Sequence, residues 1–196
     1  MVDNLKDHIL PDNLPKHIAV IMDGNGRWAK NKGAQRIFGH KNAIKAVRDV
    51  SEGCAELGVK YLTLYAFSTE NWGRPRFEVD ALMNLLVSTL GSETKTLMDN
   101  KIRLNSIGDE TRLPGNCRKE LMEVKELTKN NDQMVLTLAL NYSGRNEIVR
   151  AVKSMLDDNI DPDKVDENTI KNYLYDPEMP DPELLIRTSG ELRISN

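Results

Sequence analysis

The stretch His17-Ile18-Ala19-Val20-Ile21-Met22-Asp23-Gly24-Asn25-Gly26-Arg27-Trp28 decides the fold. Residues 17–22 form a continuous β-rich run without polar alternation, which is typical of a strand buried on both faces of a parallel sheet. The run stops at Asp23-Gly24, and Gly24 and Gly26 allow the backbone to turn sharply. The stretch therefore predicts a central strand that ends in a polar loop, with a helix opening after it.

Outward from this strand, short apolar runs alternate with segments whose apolar residues recur every three or four positions. The runs predict strands and the spaced segments predict helices. The predicted strands are His17–Met22, Tyr61–Phe67, Ile102–Ile107, Met134–Leu140 and Leu184–Ile186. The predicted helices are Ile44–Leu57, Phe77–Leu97, Arg118–Lys129 and Arg145–Leu156. This alternation specifies an α/β fold with a mostly parallel central sheet flanked by helices on both faces.

The composition is that of a single soluble domain. Hydrophobic residues make up 39% and charged residues 29% of the 196 residues, so we expect one domain over residues 1–196, with residues 1–15 as an N-terminal extension. The net charge of −3 argues against a nucleic-acid partner. Cys54 and Cys117 lack disulfide or zinc spacing and indicate a reducing cytoplasm. The N-terminus is typical of neither a signal peptide nor a membrane span.

Unusual polar segments follow four of the predicted strands. Because parallel strands end at the same edge of a sheet, a ligand site is expected where these segments meet. The segments are Asp23–Trp28, Ser68–Pro75, Asn141–Arg145 and Arg187–Ser195. Arginines, glycines, small hydroxyls and a carboxylate are thereby gathered on one rim.

A phosphate group is the ligand that the first segment suits. Gly24 and Gly26 let backbone N–H groups approach an anion closely. Arg27, Arg36 and His40 add cationic or donor groups, and the last two lie one helical turn apart. These residues predict a site for one diphosphate.

A second phosphate site is indicated near the last strand, where Arg187 and Arg193 are joined by small residues and the Ser195 hydroxyl follows. Two phosphate sites imply two phosphorylated substrates. Asp23 would repel a diphosphate at the first site unless Mg²⁺ lay between them. Taken alone, Asp-Gly is more often a simple turn.

The first segment also has the spacing of a dinucleotide fingerprint, since Gly24, Gly26 and Ala29 match G-x-G-x-x-A. A dinucleotide unit returns to its second strand within about thirty residues and carries an acid roughly twenty residues on. Here the second strand begins near Tyr61, and no acid follows it until Glu70. The dinucleotide interpretation is therefore disfavoured.

Four motifs occur in order between Pro15 and Asn196. They are the opening stretch, Gly39-His40-Lys41, Leu62–Ser68 continuing into Glu70–Pro75, and Ile186–Glu191 with Arg193–Asn196. In these motifs the sequence resembles undecaprenyl diphosphate synthase and its cis-prenyltransferase relatives. The resemblance implies a prenyltransferase that condenses isopentenyl diphosphate with an allylic diphosphate, such as farnesyl diphosphate. Its product would be a long Z-polyprenyl diphosphate such as undecaprenyl diphosphate, the lipid carrier precursor for cell-wall synthesis.

Residue roles are carried over from the same resemblance. It implies that Asp23 is catalytic and positions Mg²⁺, and that Asn71 assists proton loss, through a relay because an amide is a poor base. The remaining implied substrate-binding residues are Gly24, Asn25, Gly26, Arg27, Trp28, Arg36, His40, Ser68, Thr69, Glu70, Trp72, Arg74, Arg187, Arg193, Ile194 and Ser195. The side chains of Trp28 and Trp72 are nearly as well explained as packing residues.

The resemblance also implies an apolar tunnel, a homodimer and a peripheral membrane contact that releases the lipid product. Leu85 and Leu86 are candidates for the tunnel wall, although periodicity alone favours ordinary core. Asp157–Asp161 spells the aspartate-rich motif of trans-type prenyl synthases, but at a helix end before Pro162 we interpret it as a surface loop. Two other functions stay open, a non-catalytic subunit of the same fold and a dinucleotide-binding oxidoreductase.

Relatives of this kind continue for several dozen residues past the position of Asn196. In the family that part carries a glutamate that completes the Mg²⁺ site and much of the surface between subunits. We therefore expect the 196-residue polypeptide by itself to have little or no synthase activity.

Overall fold

A computed structural model describes residues 8–194. Five strands form one sheet in the order β3-β4-β2-β1-β5. They are β1 (His17–Ile21), β2 (Tyr61–Ser68), β3 (Ile102–Ile107), β4 (Met134–Tyr142) and β5 (Leu184–Arg187). Every pairing between them is parallel. The predicted fold class is confirmed, and the sheet of the described residues is wholly parallel.

Six α-helices connect or follow the strands over the same residues. They are α1 (Asn25–Asn31), α2 (Arg36–Leu57), α3 (Arg76–Asp99), α4 (Gly115–Thr128), α5 (Gly144–Asp157) and α6 (Glu167–Asn172). The sequence predicted that a helix opens after β1, as α1 does, but it did not predict α6, and its apolar spacing marked α2 only from Ile44 rather than from Arg36. The reason for α2 is that its first half buries only Gly39, so no apolar stripe marks that part of the helix.

The two faces of the sheet differ in chemistry. One is apolar, with Leu64, Leu138 and Leu140 packed beneath α2 and α3. The other buries polar groups, including His17, whose Nε2 lies 2.8 Å from Thr63 Oγ1 and whose Nδ1 lies 2.6 Å from the Pro180 carbonyl oxygen. These contacts hold the segment before β5 against the sheet, and so place the end of β5 beside the end of β1.

The carboxyl ends of β2 and β4 are irregular. Their register shifts after Tyr65 and again after Phe67, and Asn141 of β4 has a positive φ of 48°, which asparagine tolerates better than most residues. Bulges of this kind redirect side chains at the end of a strand. They lie at the edge of the sheet where the polar segments meet.

The structure also bears on the expectations for the two cysteines, for residues 157–161 and for membrane-spanning helices. Cys54 and Cys117 are free and buried, and burial raises the pKa of the Cys117 thiol to about 11. Asp157–Asp161 lies at the end of α5, mostly exposed, as interpreted. Over residues 8–194, no helix has both the length and the apolar character to cross a membrane.

Candidate active site

Arg187 joins the carboxyl ends of β1 and β5. Its Nη2 donates to Asp23 Oδ2 at 2.8 Å, and its Nη1 donates to the Arg193 carbonyl oxygen at 2.8 Å. The side chain is 11% exposed, and its buried Nε has no hydrogen-bond partner among the described residues. An unpaired buried guanidinium N–H is a strong donor that an anionic oxygen can satisfy.

Asp23 is held in its ionised form. The hydrogen bond from Arg187 lowers the pKa of Asp23, an effect that partial burial opposes and that the Gly24 N–H and the charges of Arg187 and Arg27 reinforce. The Gly24 N–H donates to Oδ1 at 2.6 Å, and Arg27 Nη2 lies 3.6 Å from Oδ2. A permanent carboxylate therefore stands at the end of β1.

Glu191 links two further arginines at the same edge. Its Oε1 lies 3.2 Å from Arg27 Nη2, and its Oε2 lies 3.5 Å from Arg193 Nη1. The two arginine side chains are 58% and 70% exposed. Exposed ion pairs contribute roughly 0–1 kcal/mol, so a diphosphate with several charges can replace Glu191 at little cost.

A second charged cluster lies where α2 and α3 begin. Glu78 of α3 is buried, and its Oε1 lies 2.9 Å from Arg74 Nη1 and 3.2 Å from Arg36 Nε. The carboxylate thereby ties the first residue of α2 to the loop after β2. Sequence reasoning missed Glu78, although its spacing of four from Arg74 is a recognisable ion-pair signal.

His40 lies one turn after Arg36 in α2, as predicted. Burial lowers the pKa of His40 most, the charges of Arg74 and Arg36 lower it further, and Glu78 opposes them. Its Nε2 is buried and has no partner within residues 8–194. The ring is therefore neutral near pH 7 and retains one unused nitrogen beside two arginines.

The two glycines after β1 serve different purposes. Gly24 has a φ of +87°, and an added Cβ would lie 2.5 Å from Ser189 Oγ. Gly26 instead lies inside α1, where an added Cβ would lie 3.0 Å from Arg36 Nε. The prediction that both glycines form the turn is thus wrong for Gly26, which makes room for an arginine side chain.

Asn71 and Trp72, both in the loop after β2, make different kinds of contact. The side-chain oxygen of Asn71 accepts from the Ser68 N–H at 3.1 Å, which fixes its orientation within the turn. Trp72 donates from Nε1 to Asn141 Oδ1 at 2.7 Å, and its ring packs edge-on against Phe67. These contacts favour the packing interpretation of Trp72. Asn141, which sequence reasoning gave no role, anchors the loop.

Not every predicted site residue joins the two charged clusters. In the described part of the chain, no hydrogen bond or ion pair links Thr69 or Glu70 to the arginines. Ile194 is 81% exposed, and Trp28 faces outward on α1. Ser195 lies outside the described residues.

An apolar cavity of about 190 Å³ opens beside these groups, between the sheet, α2 and α3. Asn25 and His40 line the end near the charged clusters, and Leu97 and Ile102 line the far end. Leu85 and Leu86 line it as well, in agreement with their interpretation as wall residues. The cavity therefore runs along the apolar face of the sheet, away from the arginines of the two charged clusters.

An arginine-rich rim at the mouth of an apolar cavity suits substrates that join a diphosphate to a hydrocarbon chain. On this α/β fold, the combination defines a prenyltransferase. A family model described as "Putative undecaprenyl diphosphate synthase" matches residues 21–196. The chain belongs to this family, that of the cis-prenyltransferases.

Individual relatives agree with this assignment. The isoprenyl transferase of Clostridium tetani is 54% identical over 189 residues, covering 94% of this chain and 74% of that protein. The ditrans,polycis-undecaprenyl-diphosphate synthase ((2E,6E)-farnesyl-diphosphate specific) of Pasteurella multocida is 46% identical over 190 residues, covering 95% and 79%.

Solved structures give the same result. Lavandulyl diphosphate synthase from Lavandula x intermedia, in complex with dimethylallyl diphosphate, has a TM-score of 0.88 at 35% identity, covering 93% of this chain and 80% of that one. A probable undecaprenyl diphosphate synthase from Campylobacter jejuni has a TM-score of 0.77 at 33% identity, covering 94% and 80%. The predicted family and enzyme class are confirmed.

Proposed function

We propose that the protein condenses isopentenyl diphosphate with an allylic diphosphate, preferably farnesyl diphosphate, to make a long Z-polyprenyl diphosphate such as undecaprenyl diphosphate. The observation that carries the proposal is the placement of two arginine clusters at the mouth of an apolar cavity. A diphosphate head bound there directs its hydrocarbon chain along the apolar face of the sheet. The Pasteurella relative is a farnesyl-diphosphate-specific undecaprenyl diphosphate synthase, which supports the same allylic substrate and product.

The residues of the charged rim divide into two substrate sites in this proposal. The allylic diphosphate binds at Gly24, Asn25, Gly26, Arg27, Arg36 and His40, with Arg74 reaching the site through its contact with Glu78. Isopentenyl diphosphate binds at Arg187, Arg193 and Ser195. The buried, unpaired Nε of Arg187 and Nε2 of His40 support one unsatisfied polar position in each half of the site.

Mg²⁺ belongs to this proposal as the group that Asp23 holds. No cluster of three His, Cys, Asp or Glu residues that fits a metal occurs in residues 8–194, so these residues do not form a protein cage for the ion. A single carboxylate does fit Mg²⁺ that keeps waters and shares phosphate oxygens, which is its usual mode. When bound, Mg²⁺ neutralises charge on the departing diphosphate.

The chain's own residues supply binding, orientation and charge in the proposed reaction. The allylic C–O bond breaks, the isopentenyl double bond forms the new C–C bond, and one proton leaves, so the products are a longer diphosphate, inorganic pyrophosphate and H⁺. Arg27 and Arg36 stabilise the negative charge of the leaving diphosphate. Asn71 holds a position in the loop after β2 from which it assists the proton loss through a relay.

A cytoplasmic homodimer is proposed as the working state, with no nucleic-acid partner. The exposed stripe of Ile148, Val152 and Leu156 on α5 supports an interface with a second copy, since these side chains are 57%, 45% and 68% exposed at spacings of four. The proposal also includes a peripheral membrane contact for release of the lipid product. One domain over residues 1–196 accounts for the single sheet.

The test compares Arg193→Ala with the unaltered protein in steady-state turnover of farnesyl and isopentenyl diphosphates. The variant should raise the KM for isopentenyl diphosphate by about tenfold to a hundredfold, since a charge-assisted hydrogen bond contributes about 1.5–3 kcal/mol. The KM for the allylic substrate should change little. Equal changes in both constants would show that the substrates are wrongly divided.

A further inference from the structure

A strongly basic surface covers α1 and the first half of α2. Residues 24–48 contain seven lysines and arginines and no aspartate or glutamate, in a chain whose net charge is −3. The proposed diphosphate site accounts for only part of this charge, because the arginines there are paired with carboxylates: Arg27 with Glu191 and Arg36 with Glu78. The lysines have a different environment.

Lys30, Lys32 and Lys41 are exposed and have no ion-pair or hydrogen-bond partner for their amino groups within residues 8–194. Lys41 lies three residues after Phe38 in α2, and Lys32 lies four residues after Trp28 at the end of α1. Side chains at these spacings share a helix face. Lys41 therefore lies on the same side of α2 as Phe38, and Lys32 lies on the same side of α1 as Trp28.

The two aromatic rings are exposed and stacked on each other. Trp28 and Phe38 are each 45% exposed, and their rings lie 6.0 Å apart with an angle of 8° between the planes. Trp72, by contrast, packs against Phe67 and the core. A stacked pair of large rings at the surface, among unpaired lysines, suits a partner that presents anionic groups beside an apolar layer.

We propose that the lysine–aromatic surface, formed by Trp28, Lys30, Lys32, Phe38 and Lys41, docks on an anionic phospholipid bilayer. The rings would lie at the headgroup level and the lysines would face the lipid phosphates, as in other interfacial segments. A nucleic acid or an acidic protein would engage the lysines but would leave the aromatic pair in water.

The location of the surface gives docking a role, which rests on the proposed function. His40 lies between Phe38 and Lys41 in α2 and lines the cavity, and α1 directly follows the Asp23-Gly24 turn. Docking through these two helices therefore holds the cavity near the bilayer. A long hydrocarbon product then has only a short distance to cross between the apolar cavity and the membrane.

The test is co-sedimentation with vesicles of phosphatidylcholine, with and without phosphatidylglycerol. Changing Lys30, Lys32 and Lys41 together to alanine should weaken binding to the anionic vesicles on the order of a hundredfold, because each basic residue near such a surface contributes about fivefold. Phe38→Ser should weaken it by about tenfold or more. The matched control changes Lys119, Lys153 and Lys171, exposed elsewhere, and should alter binding by less than about threefold.

Several results would overturn the proposal. The first three are an equal loss of binding in the two lysine variants, equal binding to neutral and anionic vesicles, and no binding by the unaltered protein. The fourth is unchanged binding by Phe38→Ser, which would indicate an acidic partner instead of a bilayer. Turnover of short, water-soluble substrates tests the proposed function separately from membrane docking, since vesicle binding can persist in a protein that lacks prenyl transfer. Thermal unfolding of each variant verifies that it is folded.

Discussion

Gly39 lies where α1 and α2 touch, and its replacement by alanine tests the packing behind the proposed diphosphate site. An added Cβ would lie 1.9 Å from the Asn25 carbonyl oxygen and 2.7 Å from the carbonyl carbon. Favourable contacts between heavy atoms lie near 3.5 Å, so the backbone of Asn25 must move by about 1.5 Å. The obstructing atoms belong to the main chain and cannot rotate away.

The expected cost is large for a single methyl group. Overpacking of this kind destabilises by about 1–3 kcal/mol, partly offset by the better helix propensity of alanine, about 1 kcal/mol. For a chain of this size, the net loss of up to about 2 kcal/mol lowers Tm by up to roughly 8 °C. Gly53→Ala is the matched control, since it lies in the same helix and an added Cβ meets nothing within 4 Å. It should raise stability by about 0.5–1 kcal/mol.

Thermal and urea unfolding of both variants give the stability comparison, and calorimetric titration with inorganic pyrophosphate gives the effect on the site. A shift of about 1.5 Å at Asn25 should weaken pyrophosphate binding by roughly tenfold or more, since positioning errors of this size impair sites strongly. If Gly39→Ala proved as stable as Gly53→Ala, the packing argument would be refuted. Lower stability with unchanged pyrophosphate binding would instead remove Asn25 from the proposed site.

Three further predictions address charge and assembly. Asp23→Ala should reduce turnover on the order of a thousandfold or more, since metal-assisted departure is lost, in a protein that stays folded but melts at a lower temperature because Arg187 loses its carboxylate partner; near-normal turnover would contradict the role of Asp23. The imidazole of His40 should titrate below 6.5 in an NMR titration, and Arg74→Met should raise its pKa because a neighbouring positive charge is removed; an unchanged pKa in the variant would contradict this cause. Because the folded-state pKa of His40 is depressed, its contribution to stability is present above pH 6.5 and is lost as pH falls through the folded pKa. Val152→Lys should convert the proposed dimer into monomer in sedimentation equilibrium, whereas Lys153→Ala, a neighbouring exposed change, should not.

The fold was largely predictable because its central strands are buried on both faces. Four predicted strands agree with β1 to β4 to within two residues at their ends, since continuous apolar runs mark such strands directly. The helices that the sequence missed or shortened bury little. Residues 36–43 are helical but contribute only Gly39 to the buried interior, so no periodic apolar pattern marks them.

The residues that meet at the site were predictable as a set but not as pairs. The parallel arrangement fixes which strand ends share an edge, and this brought Asp23 and Arg187 together although 164 positions separate them. The sequence held no sign that Glu191 would bridge Arg27 and Arg193, or that Asn141 would receive the Trp72 indole. These contacts depend on side-chain directions that arise only once the sheet and its bulges have formed.

The pairing of charges explains how such a site is kept ready without its substrates. Arg187 is held by Asp23, Arg27 and Arg193 by Glu191, and Arg36 and Arg74 by Glu78. Five arginines thus share three carboxylates, which keeps the guanidinium groups oriented while leaving an excess of positive charge. Substrate binding then exchanges one anion for another at arginines that are already in place, so little side-chain ordering is required at that moment. The buried Nε of Arg187 and Nε2 of His40, which no carboxylate reaches, are the positions where a diphosphate would gain contacts that the resting protein lacks.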